Sequence, residues 1–213
     1  MKPVEWSLRG VIASAGFASG HRFVCGRWDD SPLGPFTTLM WAAPDGTRTL
    51  IVEDQGEADF VSAVYSFDAV SIAPVKASGD GSWLELEAGP VAMQLKAAMG
   101  VNLPRRRPLW FTRWVEGPIA RAVMGGVRTY GTTATGVREW YRADTFRPVT
   151  AGWATIDGVD QGALGSLTPP CRFGFSEPPT RPSMVAVRPL LVDPTGRLDA
   201  TILAGARARV LKA

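Results

Sequence analysis

The segment TLMWAAPDGTRTLIV, residues 38–52, contains two apolar runs separated by Pro44-Asp45-Gly46. Asp-Gly between two apolar runs is typical of a β-hairpin, because these residues tolerate the positive φ of a tight turn. The segment therefore predicts two antiparallel strands. Further along the chain, residues 83–87 alternate apolar with acidic side chains, which predicts another strand with one face in water.

Similar patterns predict about ten short strands, separated by turns that use many of the 17 prolines and 23 glycines. A chain of 213 residues with this density of strands predicts a mainly β fold, α+β at most. We expect one domain over residues 1–213, built as an antiparallel β-barrel or closed sandwich with a few short helices.

The remaining segments are less regular. Residues 58–65 fit either helical turns or a strand, and residues 118–124 fit a short helix. Residues 185–192 and 198–203 predict a last hairpin. Residues 165–183 hold five prolines around Phe173-Gly174-Phe175. We interpret this segment as an ordered loop or lid rather than a linker, because its aromatic rings need burial.

Positive charge is concentrated in residues 101–147, which contain nine arginines, no lysine and three acidic residues. Arginine binds anions and stacks on aromatic rings, so this stretch is where we expect a ligand. Its first part predicts binding of a polyanion or acidic partner, through Arg105, Arg106, Arg107, Trp110 and Trp114. A solvated basic loop anchored by buried tryptophans is the alternative that we favour. The stretch contains no motif for specific nucleic-acid recognition, and exposed tryptophans there would equally suit a homodimer surface.

Several classes of chemistry are disfavoured by composition. The chain has one histidine, His21, and two cysteines without Cys-x-x-Cys spacing, so we expect no metal site. We expect two free buried thiols, with a structural disulfide between Cys25 and Cys171 as the alternative. It has no glycine-rich phosphate-binding loop, so we expect no nucleotide cofactor. No apolar run approaches the roughly 18 residues of a membrane span. The expectation is a cytoplasmic protein without a membrane partner.

Residues 127–133 and 137–146 predict a second hairpin, rich in ionisable and aromatic side chains. Alternate residues of a strand share a face. In the first strand, Arg128 and Tyr130 therefore share a face. In the second strand, one face carries Glu139 and Tyr141. The other face of the second strand carries Arg138, Trp140 and Arg142. The pattern leaves open which face points inward.

Binding and catalytic candidates come from this hairpin and from the scarce lysines. Four residues are candidates for ligand binding, since an arginine fork binds a carboxylate through two hydrogen bonds: Arg128, Tyr130, Trp140 and Arg142. A site built from Arg128, Tyr130, Glu139 and Tyr141 competes with a solvent-facing ladder of ion pairs. The catalytic candidates are Lys96, Glu139 and Tyr141. Lys96 in an apolar cavity would attack a carbonyl, whereas on a wet strand face it is only a solvated side chain.

Two short motifs carry a family resemblance. Ser31-Pro32-Leu33-Gly34-Pro35-Phe36, ahead of a strand, resembles the Ser-Pro-x-Gly-Pro-aromatic segment of acetoacetate-decarboxylase-like proteins. Gly126-Val127-Arg128-Thr129-Tyr130-Gly131 is similar to a strand motif of uncharacterised relatives of that group. The resemblance implies a closed β-barrel with flanking loops around a cavity. In the decarboxylase a Lys-Lys pair makes one amine nucleophilic; this chain has no such pair, and Lys96 is the only lysine even loosely placed for that role.

We therefore expect a soluble protein that binds a small, mostly apolar carboxylate or carbonyl compound in a barrel cavity. The alternatives are a lyase or decarboxylase-like enzyme on the same scaffold, and binding of a polyanion or acidic partner through residues 105–114. Whether the chain catalyses a reaction stays open at this point.

Overall fold

The computed structural model of the protein describes residues 4–104, 108, 110, 127–196, 198, 199 and 202. Strands dominate these residues. In chain order the elements are β1 (Val4–Ser7), β2 (Arg9–Phe17), β3 (Arg22–Asp30), β4 (Phe36–Ala42), β5 (Arg48–Val52), α1 (Gln55–Ser62), β6 (Ala69–Ile72), β7 (Val75–Gly79), β8 (Trp83–Ala88), β9 (Val91–Ala97), β10 (Val101–Asn102), β11 (Tyr130–Thr132), β12 (Arg138–Trp140), β13 (Ala143–Ile156), β14 (Val159–Asp160), β15 (Leu164–Gly165), β16 (Ser183–Val187) and β17 (Leu190–Asp193).

The described strands form a large and a small sheet. The large sheet runs in the order β6-β5-β4-β3-β2-β16-β13-β9-β8-β7, with β10 and β14 paired to β13 and β15 paired to β2. Its neighbouring strands are antiparallel, except that β5 and β6 are parallel. The small sheet has the order β1-β17-β12-β11. The prediction of a mainly β fold is confirmed.

The large sheet curls into a half-barrel, so that β7 near one end contacts β4 near the other. Side chains from strands far apart in the sheet meet inside the curl. The largest of them are completely or almost completely buried: Phe23, Leu39, Leu86, Met93, Leu95 and Met184. Burial of this apolar surface is the main favourable contribution to holding the curl together.

Strands β3 to β5 are buried on both faces. Phe23 and Leu39 face the interior of the half-barrel, whereas Val24 and Met40 face a second apolar cluster outside it. Strands covered on both sides carry continuous apolar runs rather than alternation. This explains the sequence of residues 38–52, whose predicted hairpin is confirmed as β4 and β5, with Gly46 at φ +93° in the turn.

Strand β8 shows the opposite pattern, because only one of its faces is covered. Leu84 and Leu86 are buried inside the half-barrel, while the intervening Glu85 and Glu87 are exposed. The strand predicted from the alternation of residues 83–87 is confirmed.

Helix α1 covers part of the outer face of the half-barrel. It begins after Asp54, whose carboxylate accepts the Glu57 N–H at 3.0 Å and caps the first turn. Phe60 and Val61 pack into the outer cluster. The ambiguous segment 58–65 is therefore helical through Ser62, which ends α1.

The predicted last hairpin is wrong. Its first strand is two strands, β16 and β17, which lie in different sheets. Leu198, Asp199 and Ile202 are helical. The Asp193 carboxylate accepts the N–H groups of Thr195 and Leu198, both at 2.7 Å, and turns the chain. Leu198 and Ile202, four residues apart on one helical face, are then buried in the outer cluster.

The hairpin predicted over residues 127–146 is shorter than expected. Its paired strands are β11 and β12, and from Ala143 the chain enters the large sheet as β13. The helix predicted over residues 118–124 lies outside the described residues.

The two faces of β9 provide a direct test of the half-barrel interior. Leu95→Ala removes a fully buried side chain, so we expect the free energy of unfolding to fall by about 2–5 kcal/mol. Gln94→Ala, at the exposed neighbouring position, should change it by less than about 0.5 kcal/mol. Urea unfolding measures both. Equal costs for the two variants would contradict the assignment of the faces.

Candidate functional site

A cavity of about 40 Å³ lies between the outer face of the half-barrel, helix α1 and the small sheet. Its wall is mostly apolar, and three of its polar side chains, Tyr65, Glu139 and Tyr141, form one group. The lining residues are Leu8, Ile12, Val24, Gly26, Trp28, Phe36, Thr38, Met40, Phe60, Val61, Val64, Tyr65, Glu139, Tyr141, Pro189 and Leu191.

Tyr65, Glu139 and Tyr141 come from three different segments of the chain. Tyr65 follows α1, and its N–H donates to the Val61 carbonyl at 2.8 Å. Glu139 lies in the middle of β12, paired with Gly131 on one side and Leu191 on the other. Tyr141 follows β12, and its N–H donates to the Thr129 carbonyl at 2.8 Å.

The three side chains form a hydrogen-bonded cluster. The Tyr65 hydroxyl lies 3.1 and 3.3 Å from the two carboxyl oxygens of Glu139. It also lies 2.6 Å from the Tyr141 hydroxyl, a pair in which either oxygen can be the donor. Residues 74 and 76 positions apart in sequence thus share one polar cluster inside an apolar wall.

Burial controls the protonation of this cluster. Loss of hydration raises the pKa of the Glu139 carboxyl from its ordinary value of 4.5 to about 8, although hydrogen bonds from Tyr65 and Tyr141 act in the opposite direction. No lysine or arginine among the described residues forms an ion pair with Glu139. Burial and the neighbouring carboxylate also raise the pKa of Tyr65 and Tyr141 well above 10. At neutral pH the cluster is therefore mostly uncharged.

The uncharged cluster can donate a hydrogen bond to a group in the cavity. When Glu139 is protonated, its O–H can donate to the Tyr65 oxygen, and the Tyr65 O–H can then donate to the Tyr141 oxygen. The Tyr141 hydroxyl hydrogen is then available to an acceptor in the cavity. When Glu139 is ionised, the direction of these hydrogen bonds reverses. Tyr141 then donates to Tyr65, and Tyr65 donates to the carboxylate, which can only accept.

The proline-rich loop 165–183 packs against the same cluster. The Ser66 N–H donates to the Phe173 carbonyl at 2.7 Å. A Cβ on Gly174 would lie 2.7 Å from the Tyr65 ring, and a Cβ on Gly131 would lie 2.1 Å from the Phe175 ring. Side chains are therefore excluded at both glycines, and the loop lies directly against the site.

The predicted site residues fall into two groups. Glu139 and Tyr141 line the cavity, and the inward face of β12 is the one that carries Glu139. Tyr130 and Glu139 do not share a face of the hairpin, because Tyr130 pairs directly with Trp140. Their rings lie 4.8 Å apart between centroids, and neither residue lines the cavity.

The remaining predicted residues lie away from the cavity wall. Arg128 is exposed, and its N–H donates to the Ser176 hydroxyl at 2.9 Å. The Arg142 Nε–H donates to the Arg188 carbonyl at 3.2 Å. Lys96 is exposed on the wet face of β9, opposite Trp83 and Ala151. Arg105, Arg106, Arg107 and Trp114 lie outside the described residues, and Trp110 is exposed. Binding of a polyanion by residues 105–114 stays a prediction.

Sequence reasoning missed Tyr65 and the apolar wall. The available signal was weak: Tyr65 follows Val61 by four residues and Phe60 by five, at the end of a segment that fitted helix or strand equally. Nothing local connected it to Glu139. The connection exists only because α1 and β12 both pack on the outer face of the half-barrel.

The described residues give little support for a metal site or for histidine chemistry. No group of three His, Cys, Asp or Glu side chains there could hold a metal ion. The His21 ring accepts the Trp41 indole N–H at 2.8 Å through Nδ1. No helix in the described part of the chain is long and apolar enough to cross a membrane.

The comparisons with known proteins give a distant structural likeness and no sequence match. No family model matches the chain, and no curated protein sequence matches it. The fold is similar to the crystal structure of acetoacetate decarboxylase from Legionella pneumophila, at 9% sequence identity and a TM-score of 0.40. The match covers 89% of this chain and 84% of that chain. It agrees with the weak resemblance seen in residues 31–36, and it supports no statement about activity.

The raised pKa of Glu139 predicts how stability depends on pH. Between about pH 4.5 and about pH 8 the folded protein holds a proton on Glu139 that the unfolded chain has released. The resulting stabilisation is complete below that window and is lost as the pH rises through it. We therefore expect the free energy of unfolding of the wild type to fall, relative to Glu139→Gln, from about pH 5 to about pH 9.

Urea unfolding of both proteins at the two pH values measures this difference. Glu85→Gln, an exposed carboxylate on β8, serves as the control and should follow the wild type. Parallel pH profiles for the wild type and Glu139→Gln would show that Glu139 is ionised in the folded protein at neutral pH.

Proposed function

We propose that the protein binds a small, mostly apolar carbonyl compound in the cavity beside Tyr65, Glu139 and Tyr141. The observation that supports this most directly is an uncharged hydrogen-bonding cluster in the wall of a mostly apolar cavity. The apolar wall would hold the hydrocarbon part of the ligand. The Tyr141 hydroxyl would donate a hydrogen bond to the carbonyl oxygen.

Charge favours a carbonyl compound over a carboxylate in this cavity. Burying a carboxylate is costly unless a cation is paired with it, and none of the described residues that line the cavity is a lysine or arginine. A carboxylate would also lie beside Glu139 and oppose its ionisation. A neutral carbonyl oxygen needs only one donor, which the cluster can supply when Glu139 is protonated.

The size of the cavity limits the ligand. A single water occupies about 10–15 Å³ on this measure, so about 40 Å³ admits a ligand of only a few non-hydrogen atoms without rearrangement of the wall. Acetone and 2-butanone are suitable probes. Ligands this small bind weakly: a ceiling of about 1.5 kcal/mol per non-hydrogen atom limits acetone, with its four such atoms, to about 6 kcal/mol, so its dissociation constant should be no lower than about 40 μM.

The chain has three tyrosines, which provide a matched test of binding. Titration with 2-butanone, followed by ligand-observed NMR, should show saturable binding to the wild type. Tyr141→Phe should weaken binding about five- to tenfold, because one hydrogen bond contributes about 1 kcal/mol. Tyr130→Phe alters a ring outside the cavity wall and should bind like the wild type. No saturable binding, or equal binding by both variants, would contradict the proposal.

A second function is favoured by the raised pKa of Glu139, namely an enzyme of the lyase class that begins with proton abstraction. A base with a pKa near the working pH is suited to general acid–base catalysis. The Glu139 carboxylate would take a proton from the carbon next to the carbonyl, leaving an enolate. The Tyr141 hydroxyl would stabilise the enolate oxygen, and return of the proton to carbon would restore the ketone.

Exchange of the methylene protons of 2-butanone for deuterium, followed by NMR, detects this step. The wild type should exchange them faster than Glu139→Gln, by about 10²–10⁴-fold. Lys96→Gln should match the wild type, since Lys96 is exposed on β9. Exchange that depends on Lys96 and not on Glu139 would instead indicate Schiff-base chemistry.

A further inference from the structure

A second pocket, of about 550 Å³, lies where the β4–β5 turn meets the proline-rich loop. It is separate from the cavity described above and shares none of its lining residues. Its wall is polar, and five ionisable residues dominate it: Arg22, Asp45, Arg48, Asp68 and Arg172. This volume lies within the range of small-molecule sites.

Arg22 is the unusual member of this wall. It is only 2% exposed, yet none of the described acidic side chains forms an ion pair with it. Its two terminal nitrogens donate to the carbonyls of Pro169 and Ala43, the latter at 2.6 Å. Its buried Nε–H has no acceptor among the residues that the structure describes. A buried guanidinium held only by carbonyl dipoles is costly, and an anion would compensate it.

The neighbouring charges leave a positive excess in the pocket. Arg48 and Asp68 neutralise each other through two hydrogen bonds, of 2.9 and 2.8 Å. Arg22 and Arg172 then face a single carboxylate, Asp45, which already accepts the Thr47 N–H at 2.8 Å. Outside the wall, Glu177 accepts the backbone N–H groups of Cys171 and Arg172; its negative charge reduces the excess, but its oxygens are held by these N–H groups rather than by the arginine side chains of the wall.

We infer that this pocket binds the carboxylate of a small organic acid. An excess of one positive charge matches a monoanion. The planar donors of a guanidinium also match the two oxygens of a carboxylate. Arg22 would supply the buried charge, and the side chain of Arg172 would contact the ligand at the exposed side of the pocket. This inference does not depend on carbonyl binding in the first cavity.

The inference is tested with acetate as the probe. Isothermal titration at constant ionic strength, with chloride as the replaced anion, should show saturable binding of acetate to the wild type. Arg172→Gln, an exposed position, should weaken this binding about tenfold. Arg181→Gln, another exposed arginine of the same loop but outside the pocket wall, should leave it unchanged. Arg22→Gln should abolish it, provided that circular dichroism shows a folded protein.

Three outcomes would overturn the inference: no saturable binding of acetate beyond chloride, equal effects of Arg172→Gln and Arg181→Gln, or tighter binding of inorganic phosphate than of acetate. The last outcome would indicate a phosphate site instead. The Arg172 and Arg181 variants change exposed side chains, so this comparison stands even if Arg22→Gln does not fold.

Discussion

Strands β3 to β5 are apolar on both faces, and both faces must therefore be covered. The large sheet covers the inner face by curling over it, and α1, the small sheet and the helical residues Leu198 and Ile202 cover the outer face. The inner core is filled with large side chains. The outer cover comes from segments far apart in the chain, and it leaves the cavity beside Tyr65, Glu139 and Tyr141.

This arrangement explains the chemistry of the site. Glu139 lies on the inward face of β12, so covering the half-barrel buries a carboxyl group that forms no ion pair with a described lysine or arginine. The protein accommodates it by protonation and by hydrogen bonding to the two tyrosines. Three uncharged, hydrogen-bonded O–H groups beside an apolar cavity suit a small carbonyl compound. The arginine-lined second pocket suits an anion instead. The two proposals thus assign to separate pockets the carbonyl and carboxylate binding that the sequence analysis expected in one barrel cavity.

The sequence predicts those parts of the fold that depend on local patterns. The Asp-Gly turn at residues 45–46 predicts the β4–β5 hairpin, and the alternation over residues 83–87 predicts β8. Glu139 and Tyr141 were candidates because alternation places them on one face. Tyr65 and Arg22 were not, since their partners lie 74 or more residues away or are backbone carbonyls with no signature in the sequence. The strand predicted from Leu198 is wrong because the Asp193 carboxylate accepts the backbone N–H groups of Thr195 and Leu198, which turns the chain there.

The chemistry of the cavity depends on one proton, because Glu139 is protonated in the folded protein at neutral pH. Difference infrared spectroscopy between the wild type and Glu139→Gln isolates the signal of this one carboxyl group. At about pH 6 we expect the difference spectrum to show the carbonyl stretch of a protonated carboxyl group. As the pH is raised to about 10, carboxylate bands should replace this stretch. Carboxylate bands already present at about pH 6 would contradict this expectation, because the cluster would then carry a buried negative charge.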